Sequence, residues 1–189
     1  EKLAHANVSG KNACEGDAVI VTGTMGDHGI TILSHREGLS FGVDLKSDTA
    51  PLNRPVKALI EALGEDVHVL RDPTRGGLAT TLNEIASQSG VGIELEEENI
   101  PVSESVRSAC EFLGLDPLYI ANEGKLIVIV PQEKACRALE ILHGFESCRE
   151  AAVVGKVTAQ NPGLVQMRTE IGGTRLVDWL NSDPLPRIC

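Results

Sequence analysis

At 189 residues the chain is long enough for one domain with a real core and short for two. Hydrophobic residues make up 42% and charged residues 23%, the composition of a soluble globular protein, and the longest apolar run, Leu126 to Val130, is far below the roughly 20 residues of a membrane span. A net charge of −10 without a Lys/Arg cluster argues against nucleic acid as a partner.

In chain order, Asp17 to Thr22 is a short β-rich run that predicts a strand, stopped by Gly23. A glycine-rich turn, Gly23 to Gly29, leads into a helix through about His35, and Glu37 to Ala50 has no period and reads as loop. Val56, Leu59, Ile60 and Leu63 share a helical face within Pro51 to Leu63, with Gly64 as the stop. A strand over Val67 to Leu70 is followed by a loop, Arg71 to Gly77, and by a helix whose face is Leu78, Leu82, Ile85 and Ala86, ended at Gly90. Val91 to Leu95 predicts a strand. Ser103 starts a helix with Val106, Ala109, Cys110 and Leu113 on one side, although its Ser-x-x-Val start lacks the acidic partner of a capping box.

Gly124 to Val130 predicts a strand buried on both faces, and Gln132 to Leu142 a helix aligning Ala135, Ala138, Leu139 and Leu142. Ala151 to Val157, Leu164 to Arg168 and Thr174 to Val177 read as strands, the last two joined as a hairpin at Gly172-Gly173. Asn181 to Cys189 holds Pro184 and Pro186 without any period, and predicts a mobile or loosely docked tail. Hairpin strands after alternating strands and helices favour an α+β domain with a mixed sheet.

Five cysteines, at 14, 110, 136, 148 and 189, form no Cys-x-x-Cys pair, so neither a zinc module nor a disulfide framework is expected and the compartment implied is reducing, hence cytoplasmic. Cys110 and Cys136 fall on apolar helix patterns, where cysteine serves as a small hydrophobe. No basic stretch followed by an apolar segment opens the sequence, so no signal peptide is expected. With Glu1 first and Met25 and Met167 the only methionines, the sequence reads as a piece of a longer protein.

Four segments could carry chemistry. Gly23-Thr-Met-Gly-Asp-His-Gly29 joins a strand to a helix, where freed N–H groups can hold a phosphate. Its spacing is neither a dinucleotide fingerprint nor a Walker A loop, and Asp27 puts negative charge at the spot, so taken alone it is first an ordinary turn. Arg71-Asp-Pro-Thr-Arg-Gly-Gly77 is a second such junction: Arg71 and Arg75 could pair with an anion and Thr74 or Asp72 could cap the helix, but a capped helix with a surface Arg–Asp pair explains it equally well. Asn122-Glu-Gly124 sets a carboxylate before a buried strand, either a general base or a solvated loop glutamate. Glu94 and Glu96 to Glu98 read as a solvated surface. Leu185-Pro-Arg-Ile-Cys189 puts a thiol on the last residue of an arm that can extend roughly 33–36 Å per ten residues.

Together and in this order, GTMGDHG, RDPTRGGLATTLNEIA and ANEGKL resemble the C-terminal domain of the aminoimidazole-ribonucleotide synthetase superfamily, and the terminal PRIC resembles its hydrogenase-maturation branch. The resemblance spans about Asn12 to Cys189. It implies the three-layer α/β C-terminal fold of that superfamily, distantly ferredoxin-like, with residues 11–180 as the domain, 1–10 as the end of a linker from a preceding ATP-binding domain, and 181–189 as the arm.

The activity implied is ATP-dependent dehydration of an S-carboxamide on Cys189 to a thiocyanate, the source of the cyanide ligand of a [NiFe]-hydrogenase iron. Cys189 would be the covalent carrier and Glu123 the base. Asp72, Thr74, Arg75, Gly76 and Gly77 match the block near the nucleotide, and Gly26, Asp27 and His28 match the first glycine loop. ATP and Mg2+ would be bound mainly by the preceding domain, leaving this piece inactive by itself. The partners implied are the carbamoyltransferase HypF, the iron-carrying HypC–HypD complex and, for the whole protein, a second copy in a homodimer. Other ATP-dependent members of selenophosphate synthetase or thiamine-phosphate kinase type, and a non-catalytic module that only presents the thiol, are the alternatives.

Overall fold

The computed structural model describes residues 7–38 and 45–180. Expectations for 1–6, 39–44 and 181–189, including Cys189 and its arm, lie outside the described residues.

The elements follow the sequence pattern closely: β1 (Asp17–Val21), α1 (Asp27–Glu37), α2 (Asn53–Leu63), β2 (Val69–Arg71), α3 (Gly77–Ser89), β3 (Gly92–Glu96), α4 (Glu104–Leu113), β4 (Ile127–Pro131), α5 (Ala135–His143), β5 (Ala152–Thr158), β6 (Val165–Arg168) and β7 (Thr174–Leu176). They build one seven-stranded mixed sheet in the order β2-β4-β1-β5-β3-β6-β7. Only the β3–β6 pairing is parallel; the other five are antiparallel. A register shift between Val19 and Ile20 marks a bulge where β1 meets β5.

Period-two alternation decides the layering. Val19, Val21, Ile127 and Ile129 point to one face and join Leu78, Leu82, Ile85 and Ala86 of α3 in the larger core. Ala18, Ile20, Val128 and Val130 point to the other and meet Leu59 and Leu63 of α2 and Ala135, Ala138 and Leu142 of α5. Each fully buried Leu or Ile contributes about 1.5–3 kcal/mol relative to exposure. This half of the sheet is therefore the middle of three layers. A third cluster, Ile30, Val106, Ala109, Cys110 and Ile120, packs α1 against α4 beside the first loop.

On the open face of the other half, Glu94 pairs with Lys156 at 3.0 Å and Glu96 with Arg168 at 2.6 Å. The acidic run lies at the surface, with Glu94 and Glu96 held by cross-strand partners.

Three expectations are corrected. Cys136 is exposed. It follows Ala135 by one residue, about 100° around the helix, so the seam through Ala135, Ala138 and Leu142 turns it to solvent. Neither Thr74 nor Asp72 caps α3: the N-cap is Gly76 at φ 65, which makes no side-chain cap hydrogen bond. The strand expected from Gly124 begins at Ile127, because Gly124 is pressed against backbone of the 48–50 segment. A Cβ on Gly124 would lie 1.7 Å from the Asp48 carbonyl oxygen.

Candidate active-site loops

The C-terminal ends of β1 and β2 lead into the two glycine loops, and the chain entering β4 between them carries Asn122, Glu123 and Gly124. Because β4 runs antiparallel to both neighbours, its start lies at the same end of the sheet as their ends. Topology thus gathers three segments distant in sequence.

Asn122 holds them together. It is fully buried, and its Oδ1 accepts the Gly26 N–H at 2.7 Å. Its Nδ2 donates to the Pro73 carbonyl at 3.2 Å and the Ile120 carbonyl at 2.9 Å. Its backbone N–H donates to the same Pro73 carbonyl at 3.1 Å. One N–H donor and two carbonyl acceptors around the amide leave a single orientation that satisfies all three.

Glycine permits the rest of the approach. Gly77 has φ 61, and a Cβ there would lie 2.5 Å from the Leu118 carbonyl oxygen and 2.6 Å from that of Ile120. The Gly29 N–H donates to the Ala121 carbonyl at 3.1 Å.

The structure brings most of the sequence-derived residues to this junction. Gly26, at φ 89, is the N-cap of α1. The Asp27 carboxylate accepts from the Thr24 hydroxyl and, at 3.2 Å, from the hydroxyl of Ser103, which starts α4. It thereby braces two helix starts. His28 Nδ1 is 2.9 Å from the Ser47 hydroxyl, in the segment that passes over Gly124. Asp72 and Arg75 are exposed beside the N-terminus of α3, Thr74 is half-buried, and Arg75 makes no ion pair among the described residues. Arg71 is committed to Glu84.

Glu123 is exposed at the junction, and its backbone N–H donates to Asp48 Oδ1 at 3.2 Å. Cys189 lies outside the described residues.

Two contributors escaped the sequence. Asn122 stood in a noticed motif, but nothing in one sequence says that its amide reaches Gly26, 96 residues away. Asp48 sat in a segment without period, and its Oδ2 is buried without a hydrogen-bond partner among the described residues. The α3 start, with two side-chain-free residues at positive φ, no side-chain cap and Arg75 alongside, suits a phosphate group. The α1 start suits one less, since the Gly26 N–H is taken by Asn122 and Asp27 occupies the first turn.

Among known proteins, the family model for the AIR synthase related protein, C-terminal domain, matches residues 15–167. The carbamoyl dehydratase HypE of Azotobacter vinelandii is 56% identical over 183 residues, covering 97% of this chain and 53% of the relative. The hydrogenase expression/formation protein HupE of Azotobacter chroococcum mcd 1 is 56% identical over 182 residues, covering 96% and 53%. The chain spans about half the length of the curated relatives it matches. A crystal structure of the hydrogenase maturation protein HypE superposes with a TM-score of 0.91 at 53% identity, over 96% of this chain and 58% of that one. A HypE structure in complex with ATP gives 0.89 at 52%, over 94% and 54%, and a HypE–HypF complex gives 0.88 at 49%, over 92% and 56%. No helix among the described residues is long and apolar enough to cross a membrane.

Proposed function

The chain belongs to the AIR synthase related protein C-terminal domain family, and on that premise we propose that it is the part of an ATP-dependent carbamoyl dehydratase that carries the base and the acceptor thiol for cyanide-ligand synthesis in [NiFe]-hydrogenase maturation. Relatives named carbamoyl dehydratase and an ATP-bound neighbour support the reading. The observation that carries it is the Asn122 clasp, which sets the exposed Glu123 carboxylate at the meeting point of both glycine loops.

The carboxamide oxygen on Cys189 attacks the γ-phosphate of ATP and releases ADP. One amide proton leaves as the C=N bond forms, and loss of the second expels phosphate and leaves a thiocyanate. Carbonyl oxygen is a poor leaving group and phosphate a good one, so the phosphoryl group supplies the driving force and a base the timing. Glu123 takes the proton. Asp72, Thr74, Arg75, Gly76 and Gly77 orient the nucleotide's phosphates at the α3 start. Gly26, Asp27 and His28 shape the opposite wall; Asp27 and His28 are engaged by neighbouring side chains and act mainly as scaffold. ATP supplies the phosphoryl group, and Mg2+ is held with it mainly by the part of the longer protein outside this chain.

HypF, present in the HypE–HypF neighbour, is the partner that loads the carbamoyl group. HypC–HypD receives the cyano group, the whole protein acts as a homodimer, and the cytoplasm is its compartment.

The test is the intact mass of the full-length protein after incubation with HypF, carbamoyl phosphate and ATP. A carbamoyl adduct on the C-terminal peptide that then loses one water supports the reading. In Glu123→Gln the adduct should form while its dehydration slows by about 10²–10⁴-fold. An active Cys189→Ala protein, or an adduct on another cysteine, removes it.

A further inference from the structure

The opposite end of the same three strands holds a second group of chemically capable side chains. Asp17 opens β1, Cys14 lies in the turn before it, and His68 immediately precedes β2. β4 separates β1 from β2 in the sheet, with Asp17 opposite Pro131 and the His68 N–H donating to the Ile129 carbonyl at 3.0 Å. Five residues of β1 set this end roughly 16 Å from the glycine loops, at about 3.3 Å per residue. None of the residues assigned to the dehydration among the described residues lies at this end.

One ligand atom each from Cys14, Asp17 and His68 lies within 4.8 Å of the others. Asp17 is 3% exposed, and its Oδ2 accepts the Cys14 N–H at 2.8 Å and lies 2.7 Å from His68 Nδ1. A buried carboxylate thus fixes both the imidazole and the backbone that presents the thiol. Cys14 itself is exposed, and its Sγ donates to the Asn12 carbonyl at 3.4 Å.

We propose that Cys14, Asp17 and His68 form a binding site for a single zinc ion, with the fourth position open to solvent. The donor set is a thiol, an imidazole and a carboxylate, the mixture that favours zinc over the hard cations. Bonds of about 2.0–2.3 Å at tetrahedral angles put ligand atoms roughly 3.3–3.7 Å apart. The Asp17–His68 pair must therefore open by somewhat under about 1 Å, while the thiol closes by up to about 1.5 Å. Rotation of an exposed cysteine at the edge of a turn supplies the second movement. On binding, the Cys14 S–H bond breaks and its proton goes to solvent. In the metal-free site the Nδ1–H of His68 donates to the Asp17 carboxylate; on binding, that proton passes to solvent while Nε2 takes one up, so the neutral ring turns its Nδ1 lone pair to the ion and no electron is transferred.

The experiment titrates the chain with Co2+ as a spectroscopic stand-in, then displaces it with Zn2+. A Cys136→Ser/Cys189→Ala background leaves Cys14 as the only thiol outside the buried Cys110 and Cys148. One equivalent should bind with thiolate-to-cobalt charge-transfer absorption, and Zn2+ should abolish that band and raise Tm. Cys14→Ser should eliminate the absorption, and His68→Gln should weaken binding by at least about tenfold. Both side chains reach solvent, so these variants fold even if Asp17→Asn does not. Failure to bind one equivalent, a charge-transfer band that survives Cys14→Ser, or unaltered affinity in His68→Gln overturns the proposal.

Discussion

Replacing Asn122 by alanine removes three side-chain hydrogen bonds from a fully buried position. The largest loss is the acceptor of the Gly26 N–H, since an orphaned buried donor costs about 1–3 kcal/mol. The two carbonyls lose less: each has a second lone pair, and Pro73 keeps the backbone N–H of residue 122, so together they add about 1 kcal/mol. The expected destabilisation is about 2–4 kcal/mol, equivalent to about 5–15 °C in Tm for a domain of this size. Urea unfolding measures it, with an unchanged m-value showing that the folded state is otherwise intact. The Asn122→Asp variant sharpens the test. Its carboxylate can still accept from Gly26 but faces two carbonyl oxygens, so at pH 7 it should be no more stable than the alanine variant. That burial raises the folded-state pKa of the introduced carboxyl, so the deficit should shrink as pH falls toward the unfolded value near 4. A loss below 1 kcal/mol for Asn122→Ala, or an aspartate variant as stable as the parent at pH 7, would refute the clasp.

Gly77→Ala should destabilise by more than about 2 kcal/mol, because it joins a positive φ to a Cβ held against two carbonyl oxygens; an unshifted thermal melt would contradict the packing. Thiol labelling at pH 8 should modify Cys14 and Cys136 quickly and Cys110 and Cys148 only on unfolding, since the first two are exposed and burial pushes the other two thiols up. Burial, with Asp116 nearby, pushes Cys110 up to about 11. Its thiol therefore supports the fold fully below about pH 9, and that support declines toward pH 11; Cys110→Ala should flatten this part of a stability–pH curve.

Most of the helices were legible because each shows one apolar stripe. The face through Leu78, Leu82, Ile85 and Ala86 was read from spacing alone and is the face buried on the sheet. The same logic failed for Cys136, where an apolar residue type outweighed a position one step off the stripe. The hairpin at Gly172-Gly173 was legible because the turn is local. The order of the sheet was not, since no residue of β1 records that β4 rather than β2 will lie beside it. For the site, motifs identified the loops, but their convergence depends on one amide spanning 96 residues and on a 48–50 segment with no pattern of its own. The caps misread at Thr74 and Asp72 follow from preferring side-chain caps where two glycines shape the helix start.

Placing β4 and β5 on either side of β1 has a consequence for biosynthesis. Val21 pairs with Ile127 on one edge and Ala152 on the other, so the strand made early in this chain waits for more than 100 further residues before either edge is satisfied. At about 5–20 residues per second that is roughly 5–20 s on the ribosome. During this interval the apolar Ala18-Val-Ile-Val21 run remains an open template for any other extended chain. Long-range pairing of this kind also slows folding, because loop closure must precede the contacts that reward it. Truncations ending before β4 should therefore aggregate instead of accumulating as partly folded intermediates.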